Sequence, residues 1–381
     1  MIALTNARIF TQNSILNDHV LIIEDGLIKE ISKNARIPSF AKTIDLGGAN
    51  LCAGFIDLQL NGCGGVMFNE TPDKETILAM HETNLKSGTT SFLPTFITAP
   101  EKSYKDALKA MGDYKKLSEF KNSALGLHLE GPFISVEKKG VHNPSYIRSM
   151  QEDDLITLKN HADLITKLTI APENVSLEQM QQLIKSGIII AIGHSNANFE
   201  TAMSYFTHGA SFVTHLYNAM SQINSGRDLG VVGASLTSDA FVGIITDGLH
   251  VHFANIDLAY KIKQNKLCIV TDALASAGAP ENFKQFSFVG KNIYVKDGKC
   301  VDENGITAGA SITMLESIKN VVQNTKISLL EAINLSTINP ACAIKMDKKI
   351  GSIQVGKVAN LCVFDKNYNI IGVSFNGTWK S

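Results

Sequence analysis

The stretch Gly126-Leu127-His128-Leu129-Glu130-Gly131-Pro132-Phe133 decides how the chain is read. Strand period places His128 and Glu130 on one face, with the leucines on the other. The run stops at a Gly-Pro turn, so the Glu130 carboxylate stands at the strand's C-terminal end. In a parallel barrel that end is the mouth, where catalytic groups gather.

The same design recurs outward along the chain. Eight short runs rich in Ile, Val and Leu read as strands, at 54–60, 91–95, 124–130, 167–171, 188–193, 211–215, 242–246 and 267–271. Amphipathic stretches at 74–86, 103–117, 177–185 and 199–207 lie between them. Alternating apolar strands and helices predict a parallel sheet covered by helices. Eight units fit an α/β fold closed as a (β/α)8 TIM barrel, with an open doubly wound sheet as the alternative. The strand ends decide for the barrel. They carry Gln59 and Asn61, Glu130, His194, His215, Asp247 and Asp272, so six of the eight strands finish on a polar or ionisable residue.

Both ends of the chain read differently. Residues 2–10 are strand-like, and 20–24 and 27–31 flank Asp25-Gly26, a strong hairpin signal. At the far end 360–364 and 370–375 are strand-like and Asn376-Gly377 offers another tight turn. Neither end can bury a core alone. Residues 1–53 and 347–381 are therefore expected to form one small β-sandwich, with 54–346 inserted as the barrel domain. After the eighth strand, 286–289 and 292–295 flank Gly290-Lys291 as a hairpin. Helices are expected at 312–322 and 329–335, the second ending before Asn339-Pro340.

Composition narrows the function classes. The 381 residues carry 35 Lys+Arg against 36 Asp+Glu, a formal net charge of −1, and 44% are hydrophobic. A chain this apolar is not globally disordered, and its charge balance gives no footprint for nucleic acid or anionic membrane. No apolar run reaches the ~18–20 residues needed to cross a bilayer, and MIALTNARIF does not read as a secretory signal. The six cysteines, Cys52, Cys63, Cys268, Cys300, Cys342 and Cys362, include no CxxC pair. That argues against a zinc ribbon or disulfide framework and for a reducing cytoplasm. With no GxxxxGK[ST] or GxGxxG element, nucleotide chemistry is not expected.

The candidate chemistry lies at the strand ends. Ala191-Ile-Gly-His194-Ser195 and Val213-Thr-His215 each end a strand on an imidazole. Singly, Glu130, His194 and His215 read as hydrogen-bonded interior residues. Together they are one carboxylate and two imidazoles from three strands, a plausible set for one divalent transition metal, with Zn²⁺ the leading choice. Ile269-Val-Thr271-Asp272 places a carboxylate directly after the last strand. Such a group, poorly solvated, needs a strong partner, and a metal-activated water is one. Asp272 is thus the candidate general acid/base. It could also cap a helix, but the Ala-Ser-Ala-Gly-Ala-Pro that follows 273 and 274 does not read as one.

In order along nearly the whole chain stand GFIDLQLNGCGG, HLEGPF, IGHS, THLYNAM, DGLHV and VTDA. This set resembles the N-acetylglucosamine-6-phosphate deacetylase family of the amidohydrolase superfamily. The resemblance implies Glu130, His194 and His215 as metal ligands, Asp272 as acid/base, and His142 polarising the acetamide carbonyl. It implies substrate contacts from Asn61, Val141, Asn218 and Ala219, and phosphate contacts from Arg227 and His250. Thr307, Ala308 and Gly309 would lie over the sugar. Arg227 would reach in from the neighbouring subunit of a homodimer, although the loop before it, 221–226, is a residue longer than the family form. Many amidohydrolases bind a second metal through His-x-His, but here that position reads Gln59-Leu60-Asn61. Neutral amides are poorer transition-metal ligands than imidazole, so a single metal is expected. The implied activity is hydrolysis of N-acetylglucosamine 6-phosphate to glucosamine 6-phosphate and acetate, in amino-sugar breakdown. The alternatives are the galactosamine isomer, a cyclic amide, or a scaffold that lost its metal.

Overall fold

Eight parallel strands form one sheet: β1 (Phe55–Leu60), β2 (Thr89–Ile97), β3 (Leu127–Glu130), β4 (Ile165–Ile170), β5 (Ile189–Ile192), β6 (Phe212–Val213), β7 (Phe241–Ile244) and β8 (Leu267–Ile269). Each pairs with the next in chain order, so no strand order reverses as in a doubly wound sheet. The computed structural model describes residues 1–33, 35–296 and 298–380; Asn34 and Ser381, within the range expected for the β-sandwich, lie outside them. The sheet closes where β1 meets the chain just past β8. There Asp272 N–H donates to the Gln59 carbonyl at 2.9 Å and Asn61 N–H to the Ala273 carbonyl at 3.0 Å. The Asp57 carboxylate accepts from the Thr271 hydroxyl and backbone N–H across the same seam.

The helices form where sequence marks them. Asp73 caps Lys74–Lys86 through the N–H of Thr76. Ser176 with Gln179 and Thr313 with Glu316 form capping boxes on Leu177–Lys185 and Met314–Asn324. Their apolar faces join the strands in a core that includes Phe55, Phe92, Leu168, Ile192 and Ile318.

Strands from both ends of the chain make two further sheets. One orders Leu27–Ser32, Val20–Glu24, Ile2–Thr5 and Lys42–Asp45; the other joins Leu361–Phe364 and Ile370–Phe375 to Asn50–Ala53 and Arg8–Phe10. Leu4, Ile9, Leu21, Ile23, Leu51, Leu361 and Val363 share one core between them. The Asp25-Gly26 hairpin forms as expected, both residues holding positive φ.

Two local expectations change, and two further features appear. The run at 2–10 is two strands, broken at Asn6, whose φ of 52° ends the first. The hairpin after β8 turns at Val289-Gly290 rather than Gly290-Lys291, and grows into a four-stranded sheet with Lys299–Asp302 and Thr307–Ala310. Glu70 accepts the Val289 N–H at 2.6 Å, a tertiary bond that holds a branched residue at positive φ. The helix Leu329–Leu335 ends ahead of Pro340, as expected. A further short helix, Ile338–Ala343, carries it in the first turn, where its missing N–H is tolerated. Strand β2 runs through Pro94, where its register with β1 shifts.

Gly88, between Lys74–Lys86 and β2, joins the barrel to the terminal sheets. Its φ is +83°, and a Cβ there would lie 2.5 Å from Cys362 Sγ and 2.9 Å from the Phe55 ring. Gly88→Ala should therefore destabilise the fold by about 1–3 kcal/mol, read as a lower urea midpoint. An unchanged midpoint would mean this junction is loosely packed.

Candidate metal and active site

Glu130 ends β3, while His194 and His215 stand two residues beyond β5 and β6. Both histidines hold positive φ, 49° and 29°, which swings their rings inward from strands that would otherwise run on. One ligand atom from each of Glu130, His194 and His215 lies within 4.8 Å of the others, and all three residues are buried. His194 Nε2 is 3.1 Å and His215 Nε2 3.0 Å from Glu130 Oε1. The two Nε2 atoms are 3.0 Å apart.

This geometry fits a cation. His194 Nδ1 donates to the Lys138 carbonyl at 2.7 Å, which fixes its proton on Nδ1 and leaves a lone pair on Nε2. A lone pair facing a carboxylate oxygen and a second imidazole is repulsive unless a positive charge lies between them. His215 shows the same demand. Burial opposes its charging, yet the Glu130 carboxylate outweighs burial and raises its pKa. Burial likewise acts to raise the Glu130 pKa, but the two imidazoles hold it well below the ordinary value. A divalent metal satisfies all three groups at once.

Asp272 faces the triad from just beyond β8, at φ 49°. Asn61 Nδ2 donates to its Oδ1 at 2.7 Å and Gln59 Nε2 to the same oxygen at 3.1 Å. Gln59 Nε2 also reaches both Glu130 oxygens, at 3.2 and 3.1 Å. Burial, then the Glu130 charge, pushes the Asp272 carboxyl up to about 6.

His142 closes the opposite side, its ring 4.5 Å from that of His194. Its Nδ1 lies 2.8 Å from the Thr98 hydroxyl, and burial keeps the ring neutral. Asn61, Val141, His142, Asn218, Asp272 and Ala308 all line one cavity with the triad, of about 70 Å³. A larger cavity of about 460 Å³ lies behind the loop that follows Glu130, but its Arg148 is already paired with Asp154. The candidate metal ligands line the small one.

The other expected contacts spread around it. Gly309 packs under the site, where a Cβ would sit 2.8 Å from the Asp272 carbonyl. Thr307 is exposed at the start of its strand, and Ala219 follows Asn218 at φ 49°. His250 is bonded to Asp247 at 2.6 Å and is not among the residues lining this cavity. Arg227 is exposed and stands outside the cavity lining. Sequence reading missed Thr98 and the Lys138 carbonyl, for which no local signal exists. It noticed Gln59 as a polar strand end and a missing histidine, not as a donor to both Glu130 and Asp272. Ile97 and Phe288 complete the lining as apolar walls.

Comparison with known proteins agrees with this geometry. Residues 50–380 match the amidohydrolase family and residues 1–51 the NagA composite domain. An N-acetylglucosamine-6-phosphate deacetylase of Haemophilus influenzae is 54% identical over 378 residues, 99% of each chain. An N-acetylgalactosamine-6-phosphate deacetylase of a Shewanella species is 34% identical, over 99% of this chain and 95% of its own. The crystal structure of N-acetylglucosamine-6-phosphate deacetylase from Pasteurella multocida superposes with a TM-score of 0.97 at 52% identity, covering 100% of this chain and 99% of that one. The chain belongs to the amidohydrolase family and, within it, to the N-acetylglucosamine-6-phosphate deacetylases.

Proposed function

We propose that the protein hydrolyses the acetamide of N-acetylglucosamine 6-phosphate, releasing acetate and glucosamine 6-phosphate. The observation that carries this is the buried Glu130–His194–His215 group with Asp272 and His142 on one small cavity, in a chain with that family's full length. Fifty-four per cent identity to a glucosamine-type relative, against 34% to a galactosamine-type one, favours the glucosamine isomer.

Glu130, His194 and His215 would hold one divalent metal, Zn²⁺ by the chemistry of the donor set. When bound, the metal supplies Lewis acidity toward water and the amide carbonyl. The chain's own residues do the rest. Both amides, Gln59 and Asn61, bond the same oxygen of Asp272. Among the described residues nothing bonds Oδ2, which is thus free to take the proton of the attacking water. Asp272 then returns that proton to the departing amine. A carboxyl near neutrality suits both steps. In the tautomer whose Nδ1 accepts from the Thr98 hydroxyl, 2.8 Å away, the His142 ring's proton is on Nε2. From there it donates to the amide oxygen as negative charge builds, a preorganised donor of the kind that dominates many such reactions.

About 70 Å³ takes an acetamide rather than a whole sugar phosphate, so the phosphate would extend beyond this cavity. Arg227 stands outside its own chain's cavity lining, which fits supply from a partner subunit of a homodimer. Among the described residues no helix is long and apolar enough to cross a membrane; free cysteines fit a cytoplasmic site.

Elemental analysis should give about one metal per chain, and Glu130→Gln should lose most of it. Two tightly held metals would mean that Gln59 and Asn61 are ligands. Asp272→Asn should lower kcat at least ~10²-fold with metal content kept; retention of more than a tenth of the activity would move the proton transfer elsewhere. Arg227→Ala should raise KM more than it lowers kcat, with both phosphorylated isomers assayed for acetate release. A fully active monomer would exclude the shared site.

A further inference from the structure

His128 shares a strand face with Glu130, yet it is not part of the metal group. Both its ring nitrogens are already engaged. Nδ1 lies 3.1 Å from the Thr95 hydroxyl on β2, and Nε2 lies 2.7 Å from the Thr169 hydroxyl on β4. The bonds continue at both ends. Leu60 N–H of β1 donates to Thr95 Oγ1 at 2.9 Å, and Thr169 Oγ1 lies 2.7 Å from Thr214 Oγ1, just past β6. Thr95, His128, Thr169 and Thr214 are fully buried. They form one hydrogen-bonded belt across the barrel interior, from β1 to the end of β6.

The belt adjoins all three metal ligands. Glu130 stands two residues beyond His128 and pairs in register with Thr169. His194 follows Gly193, where a Cβ would lie 2.7 Å from Thr214 Cβ and 3.0 Å from Thr169 Cγ2. The backbone before His194 therefore rests on the belt. His215 follows Thr214 itself. Strand β6 pairs with β5 only through Phe212 and Val213, and His215 comes two residues later at φ 29°. Between them the Thr214 N–H, donating to the Ile192 carbonyl at 3.0 Å, and the Thr214 hydroxyl hold the strand end. A backbone conformation this sparsely populated persists only where its surroundings fix it.

Barrel interiors are ordinarily filled by branched apolar side chains. Valine has the shape of threonine, and replacing both partners of a buried hydrogen bond by apolar groups is nearly neutral or stabilising. Stability alone does not call for hydroxyls and an imidazole in this layer. What they add is direction. A fully satisfied polar network holds its members in one arrangement, whereas apolar contacts let strand ends slide.

We propose that His128, with Thr95, Thr169 and Thr214, is a positioning group that sets the spacing of Glu130, His194 and His215 for a single divalent metal. The proposal rests on the reading of the metal site given above.

Thr169→Val tests it, since it keeps the shape and removes the bonds to both His128 and Thr214. Thr169→Ser keeps the hydroxyl and serves as the rescue. Each full-length protein is stripped of metal and titrated with Co²⁺. The Kd for Co²⁺, measured by chelator competition, should rise about 10- to 100-fold in Thr169→Val. The visible absorption bands of the bound cobalt, which report its coordination geometry, should shift as well. Thr169→Ser should match the parent in both readings. Thr214→Val, which removes only the last bond, should move both in the same direction as Thr169→Val, and it decides the matter if Thr169→Val does not fold. A lower urea midpoint of the metal-free valine variants, with cobalt affinity and spectrum unmoved, would mark a merely structural belt and overturn the proposal. A serine variant as impaired as the valine one would overturn it too. If the parent bound no cobalt, the metal site itself would fall and the proposal with it; a parent that binds cobalt beside unmoved variants overturns the proposal alone.

Discussion

The seam between β1 and the end of β8 is the constraint on which the site depends. A parallel sheet of eight strands can stay open, and then its strand ends never face a common axis. Here Asp272 N–H to the Gln59 carbonyl and Asn61 N–H to the Ala273 carbonyl close the ring. The Asp57 carboxylate pins Thr271 across the same gap. Closure turns the ends of β3, β5 and β6 inward on one point and seats Asp272 opposite them. The residues that close the barrel are also those that hold Asp272: Gln59 and Asn61 supply backbone to the seam and side-chain donors to the Asp272 carboxylate.

Convergence is obtained with strained backbone. His194, His215 and Asp272 all sit at positive φ, a conformation that costs non-glycine residues of order 1–3 kcal/mol. Each is held by bonds to its neighbours. Ser195 Oγ and Asn196 N–H both donate to Glu173, at 2.8 and 2.6 Å, fixing the turn after His194. Leu216 N–H donates to Gly243 at 2.8 Å, tying the turn after His215 to β7. Asp272 accepts from Ala310 N–H at 3.1 Å, which couples it to the inserted hairpin sheet. That sheet contributes Phe288 and Ala308 to the cavity wall, so the insertion supports the strained residue and covers the site together.

Much of this was legible in the sequence because period and punctuation are local. Helices 74–86, 177–185, 199–207 and 329–335 carry their own caps, and their limits read directly. The triad was legible because three unlike strands ended on ligating residues, a coincidence that only a shared axis explains. What failed was decided by distant partners. Glu70 reaches across to Val289 and moves the hairpin turn by one residue. Thr98 belongs to the site through His142, 44 positions away. Lys138 contributes only a carbonyl, which every residue has.

The amides at 59 and 61 follow from the same logic of charge. Glu130 and Asp272 are buried carboxylates facing one space, and the Glu130 charge helps raise the Asp272 pKa. A metal between them would relieve that repulsion but would bind the Asp272 oxygens and hold the group ionised. Gln59 Nε2 bridges the two carboxylates with partial positive charge instead. The donor is strong enough to hold the pair together and too weak to stop Asp272 accepting a proton. Histidines at 59 and 61 would favour a second cation; amides leave Asp272 able to gain and lose a proton, the freedom that its proposed use as base and then as acid requires.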